Sequence, residues 1–246
     1  MRELITGKQA YIVPGKPNDF DVQLSMTLRL PLLCGEPGKT NVFSTKSGAK
    51  RIFQIADVPV PIGAYDLYSF DEFVEVLTKL IAHHLYINTW IFKIDDEFGG
   101  RGHASLNVES VKTVMELRKK KVEMTESIIR KLEEVIRKVL PKKAKIAQPS
   151  LYRNWDSYMA QFSKVGGVIE AAPLCPQAQV SSPSISFIIE PDGNVDILGS
   201  YDKFAATDYV NAGCFFPQKS VPAMNLKTLC HSVGSTMYEK GVMGHV

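Results

Sequence analysis

Three features of the sequence predict an α+β fold with antiparallel sheets. Short β-branched and aromatic runs surround Lys93, Val168, Phe187 and Ile197, and each is too brief for a helix. Between them lie longer segments whose apolar residues recur at three- and four-residue steps, the spacing of a helix with one buried face. Pro191, Asp192 and Gly193 separate the runs 184–190 and 194–200, a strong hairpin signal. The strands are expected to enclose a cleft.

In chain order, Ala10 to Gly15 reads as a short strand ending in a turn, and Phe20 to Leu28 as a helix. The segment from Gly35 to Gly48 is rich in Gly, Ser, Thr and Lys and reads as a loop. Thr45 to Ala56 reads as a helix, and the doubled prolines Pro59 and Pro61 as an extended segment. Ser69 followed by Glu72 is a capping signal for a helix running to about His84. From Val108 to Leu140 the spacing predicts one long helix, with Ile128, Leu132, Val135 and Val139 on its apolar stripe and Pro141 as its stop. Gly166 to Ala171 reads as a buried strand. Asn225 to Gly241 reads as a helix closed by a glycine.

Composition bounds the classes of function. The chain has 246 residues, 45% hydrophobic and 22% charged, enough for a sizeable core. Its net charge of +3 is too small to imply nucleic acid. No apolar run approaches the roughly 20 residues of a spanning helix, and no secretory signal opens the chain, so no membrane role is expected. Cys34, Cys175, Cys214 and Cys230 form no CxxC pair, which indicates neither a zinc site nor a disulfide framework. Reduced cysteines and a cytoplasmic location, with the nucleus as the alternative, are the expectation.

The most informative window runs from Trp90 to Ala104. An aromatic and β-branched run carries Lys93 near its end, and Gly99, Gly100, Arg101 and Gly102 follow. A strand holds such a lysine as a fixed cation, while glycines let backbone N–H groups approach an anion. The pattern is neither a Walker A loop nor a dinucleotide fingerprint. Phosphate binding and a plain hairpin turn are both open from this window alone. Asp95, Asp96 and Glu97 suit either magnesium or an acidic turn. Trp155 and Tyr158, near Tyr152, suit either base stacking or core packing. His83 and His84 lack a third ligand at metal spacing and read as a surface pair. The basic stretch Lys119 to Lys121 and the 108–140 helix suit a calmodulin, membrane or RNA partner, or a solvated face. The solvated face is the stronger reading, because Glu123, Glu126, Glu133 and Glu134 interrupt the positive charge.

In this order the segments resemble the ATP-grasp superfamily, in its peptide-ligase-like branch. Thr45 and Lys46 open a helix leading to the segment Ala56 to Pro61; Lys93 and the glycine loop follow; Val168 to Glu170 and the hairpin ending at Tyr201 and Asp202 come next. The resemblance implies nucleotide contacts from Lys46, Lys93, Gly99, Gly100, Arg101, Gly102 and Glu170, with Asp202 facing the cleft. It implies ATP and magnesium as cofactors and carboxylate–amine ligation as the ancestral chemistry. It also implies a division into residues 1–44 as the remnant of a preceding domain, 45–92 as the first part of the core, 93–170 as a lid with the glycine loop, and 171–246 as a truncated second half of the core. The metal-binding carboxylates of the family are expected beyond Val246, so an incomplete, non-catalytic nucleotide-binding domain is expected. The alternatives are a ligase in a longer form and a scaffold binding calmodulin or RNA-associated partners. A regulatory role in sperm formation follows from the resemblance alone.

Overall fold

A computed structural model describes residues 2–120, 123–176, 179–205 and 210–246. The elements of the first 110 residues are α1 (Arg2–Ile5), α2 (Asp19–Leu28), α3 (Pro37–Phe43), α4 (Lys46–Ile55), β1 (Gly63–Leu67), α5 (Phe70–His83), β2 (Thr89–Ile94), β3 (His103–Asn107) and a 3-10 turn (Val108–Ser110). They are followed by α6 (Lys112–Lys120), α7 (Glu126–Lys143), β4 (Lys145–Ile146), α8 (Trp155–Val165), β5 (Gly167–Ala171), β6 (Pro183–Ile189), β7 (Val195–Ala205), β8 (Asn211–Phe215), α9 (Ala223–Glu239) and β9 (Gly244–His245). They cluster into two units: Met1–Val60, Ser181–Lys203 and Cys214–Val246 form one, and Pro61–Val180 with Phe204–Gly213 the other.

In the second unit five strands pair in the order β1-β5-β2-β3-β4, each pair antiparallel. Alternation along β2 sends Trp90, Phe92 and Ile94 to one face, all fully buried. They join Phe73 and Leu77 of α5, Leu132, Ile136 and Leu140 of α7, and Tyr158 and Phe162 of α8 in one core. The Phe73 ring meets Phe92 and Phe162 edge-on, at 4.8 and 5.2 Å between centroids. α5 begins as its sequence dictates: the Ser69 hydroxyl accepts from Glu72 N at 3.2 Å, and the Glu72 carboxylate accepts from Tyr68 N at 3.0 Å.

Two expectations for this unit are corrected. The 108–140 segment is not one helix. It forms the 3-10 turn, α6 and α7, with residues 123–125 outside any helix, and Lys121 and Val122 lie outside the described residues. Thr125, β-branched and extended at φ −77°, ψ 157°, starts a new helix and lets α6 and α7 bury separate faces. The stripe of α7 is centred on Leu132, Ile136 and Leu140, with Ile128, Val135 and Val139 half-buried at its margins. Nor does Pro141 stop α7, which continues to Lys143. A proline this close to the C-terminus removes one amide, and Ala144 N still donates to Leu140 O at 2.9 Å.

A second sheet has four strands in the order β8-β7-β6-β9, of which β6, β9 and most of β7 belong to the first unit. The expected hairpin joins β6 to β7: Gly193 takes φ +90°, and the Asp192 carboxylate accepts from Asn194 N at 3.0 Å. α9 lies on this sheet through Cys230, against Phe187, Ile189 and Val195. It ends as foreseen, with Gly241 at φ +79° and bonds from Gly241 N to Tyr238 O and from Val242 N to Met237 O. The Gly35 to Gly48 segment is corrected from loop to helix over α3. Pro37 supplies the preset first-turn φ, a preference that the surrounding glycine and serine obscure.

Candidate functional site

β2 and β5 bring the lysine and the acid together. The register sets Lys93 opposite Val168 and Ile91 opposite Glu170, so Lys93 and Glu170 are diagonal neighbours on the face away from the core. Lys93 Nζ donates to Glu170 Oε2. Side-chain exposure is 26% for the lysine and 8% for the acid, so the pair is partly withdrawn from water at the carboxylate end. His103, opposite Lys93, and Ser105, opposite Ile91, lie on the same face through the β2–β3 register. That polar row had no signal in the sequence, because strand register is not written in local spacing.

The glycine loop joins β2 to β3. Gly99 and Gly100 take φ of +63° and +83°, conformations that L side chains rarely adopt. Gly102 is required for a different reason. A Cβ there would lie 2.6 Å from Glu97 Cβ and 2.9 Å from Ile94 Cβ. The Gly102 carbonyl accepts from Ile94 N at 3.0 Å and from the Tyr158 hydroxyl at 3.1 Å, anchoring the loop's far end in the core. Burial holds the Tyr158 phenol well above its ordinary pKa, so it remains a donor.

Glu97 anchors the rest of the loop. Its Oε1 accepts from the Tyr152 hydroxyl at 2.8 Å, and its Oε2 faces Arg101 Nε at 3.2 Å. Burial, and then the bond to Glu97, raises the Tyr152 pKa to about 12. The base-stacking alternative for Trp155 and Tyr158 is set aside: both rings are buried, stacked on each other at 5.5 Å. His83 Nδ1 meets Lys79 O at 2.7 Å within its own helix.

Lys46 and Asp202 belong to the first unit. Lys46 is the first residue of α4, whose N-cap Thr45 accepts from Gly48 N at 2.9 Å. Asp202 Oδ2 accepts from Lys219 N at 2.8 Å and from Ser220 N at 3.0 Å, and the Ser220 hydroxyl donates to Oδ1. The Lys219 amide and the Ser220 hydroxyl hold this carboxyl below the ordinary aspartate value. Among the described residues, no group of His, Cys, Asp and Glu could hold a metal ion, and no helix is long and apolar enough to cross a membrane.

Comparisons with known proteins bear on the family and the fold. Residues 37–246 match the family model described as IQCH-like, ATP-grasp. The IQ motif-containing protein H of Danio rerio is 33% identical over 257 residues, covering 100% of this chain and 24% of the relative, so the chain spans about a quarter of that protein. Among solved structures, the biotin carboxylase domain of Hydrogenobacter thermophilus 2-oxoglutarate carboxylase, in complex with MgADP, ADP and bicarbonate, aligns with a TM-score of 0.59 at 16% identity, covering 99% of this chain and 45% of its own. The Campylobacter jejuni biotin carboxylase aligns at 0.56 and 17% identity, covering 98% and 45%. D-alanyl-alanine synthetase A of Vibrio cholerae aligns at 0.52 and 11% identity, covering 96% and 60%. At these identities the likeness is one of fold.

Proposed function

The chain belongs to the IQCH-like, ATP-grasp family, and from that premise we propose that it is a nucleotide-binding module taking ATP or ADP. The observation that carries the proposal is the Lys93–Glu170 pair on the sheet face away from the core, with the lysine on the strand that leads into the glycine loop. Lys93 contributes a fixed cation for phosphate, the backbone of Gly99 to Gly102 contributes donors, and Arg101 contributes a second charge. Glu170 accepts a hydroxyl or amino hydrogen bond from the ribose or adenine once its lysine turns to phosphate.

The solved neighbour bound to MgADP makes magnesium part of the proposal. The described residues provide no cage for it, so it is taken as the nucleotide's own counter-ion and no step is routed through it. On the resemblance alone, we extend the proposal to a regulatory role in sperm formation, and to calmodulin or an RNA-associated protein as partners of a longer parent.

Calorimetry with ATP and magnesium on the unmodified chain and on Lys93→Met tests the reading. Methionine keeps the stem's packing and removes a charge-assisted bond worth roughly 1.5–3 kcal/mol, so affinity should fall on the order of tenfold to a hundredfold. Absence of binding to the unmodified chain would overturn the proposal in favour of a scaffold. Steady phosphate release abolished by Lys93→Met would instead assign turnover, and hence ligase-type chemistry, to these residues.

A further inference from the structure

The acid at the base of the glycine loop is held from two sides by different oxygens. Tyr152, in the segment before α8, donates to Oε1, and Arg101, within the loop, faces Oε2. The two ends of the ion pair differ in access: the Arg101 side chain is 51% exposed and that of Glu97 20%. A solute can therefore reach the guanidinium without displacing the carboxylate. The stem of Glu97 occupies the space that Gly102 leaves by lacking a Cβ, so the carboxylate cannot easily follow the arginine.

We propose that Glu97 is a positioning residue that clamps Arg101, and with it the glycine loop, in the nucleotide-free protein and releases the guanidinium to an incoming polyphosphate; this rests on the nucleotide reading above. A polyphosphate offers Arg101 more negative charge than one carboxylate, and two of its oxygens can be bound by the planar fork of the guanidinium. Tyr152 makes the exchange feasible. When the guanidinium leaves, the carboxylate keeps the phenol as a hydrogen-bond donor. With a pKa of about 12, the phenol keeps its proton across the neutral range.

Two measurements on the whole chain test the clamp and the exchange separately. The first is the rate of tryptic cleavage at Arg101–Gly102 without nucleotide, followed by mass spectrometry, which reports opening of the loop. Glu97→Gln keeps the shape and removes the charge, and should raise that rate about twofold to fivefold, the range of a partly exposed ion pair. The second is affinity for ATP with magnesium, which Glu97→Gln should raise about threefold, because the competing anion is gone. A merely structural role would move affinity the other way, together with the thermal midpoint.

Unchanged cleavage in Glu97→Gln overturns the clamp, and faster cleavage with weaker ATP binding overturns the exchange. If cleavage is faster but neither form binds ATP, the nucleotide reading fails and the exchange falls with it, while the clamp stands. Tyr152→Phe, which keeps the ring, gives a second variant. Its cleavage rate should rise by less than that of Glu97→Gln, and no rise would remove Tyr152 from the device.

Discussion

Lys93 Nζ donates to the Glu170 carboxylate across two adjacent antiparallel strands, between residues 77 positions apart in sequence. The acid is the more buried partner. Lys93→Met removes a cation from a nearly buried carboxylate, whereas Glu170→Gln leaves an ammonium that still reaches water. Lys93→Met should therefore cost about 1–2 kcal/mol of stability, less than a fully buried pair because of the solvent at Lys93, and Glu170→Gln should cost less. Urea unfolding of both variants and of the double variant measures the coupling. A double variant no more stable than the sum of the two losses would show that the pair contributes nothing.

Leu132 lies at the centre of the buried stripe of α7. Leu132→Asp places a charge without a partner in a core made by α5, α7, α8 and the sheet. The penalty is several kcal/mol, on the order of a small domain's whole stability, so the second unit should lose its cooperative melting. Circular dichroism on heating checks this. An unchanged midpoint would mean that α7 is dispensable to the core.

Two glycines of one loop should respond differently to a methyl group. Gly102→Ala meets the Glu97 and Ile94 side chains well inside van der Waals range and should lower stability by about 1–3 kcal/mol. At Gly99 the space is open and the strain is conformational, from φ +63°, so Gly99→Ala should cost about 1–2 kcal/mol without disturbing Glu97. The tryptic rate at Arg101 separates them, since overpacking against Glu97 should raise it more.

Asp202 ties β7 to the 219–220 backbone as a carboxylate. Its folded pKa is lowered from the ordinary value of 3.8. Protons thus bind the unfolded chain more readily, so the contribution is fully present above 3.8 and is lost as pH falls through the lowered folded value. Asp202→Asn should flatten the acid limb of the stability profile and leave neutral pH less affected. Thermal midpoints taken from neutral pH down to about pH 2 test the sign. An acid limb identical in both forms would show that the carboxyl is unlinked to folding.

Reading the chain alone determined the elements and their polarity. Ser69 with Glu72, Pro191 with Gly193, and Gly241 announce a helix start, a hairpin and a helix end through bonds that span at most a few residues, and sequence spacing encodes such bonds directly. The same local view failed at α3, where glycine and serine masked the proline start, and at Thr125, where a continuous apolar period hid a break. Only the tertiary structure decided which charges meet. Strand alternation says that Lys93 and Glu170 each leave the core face, but their pairing depends on the register of β2 on β5, which is set by packing Phe92 and Ile169 on the helices. The Tyr152–Glu97–Arg101 group is of the same kind. A phenol 55 positions from its acid comes into place because Trp155, Tyr158 and Phe162 bury α8 in the core, carrying the segment before it to the loop.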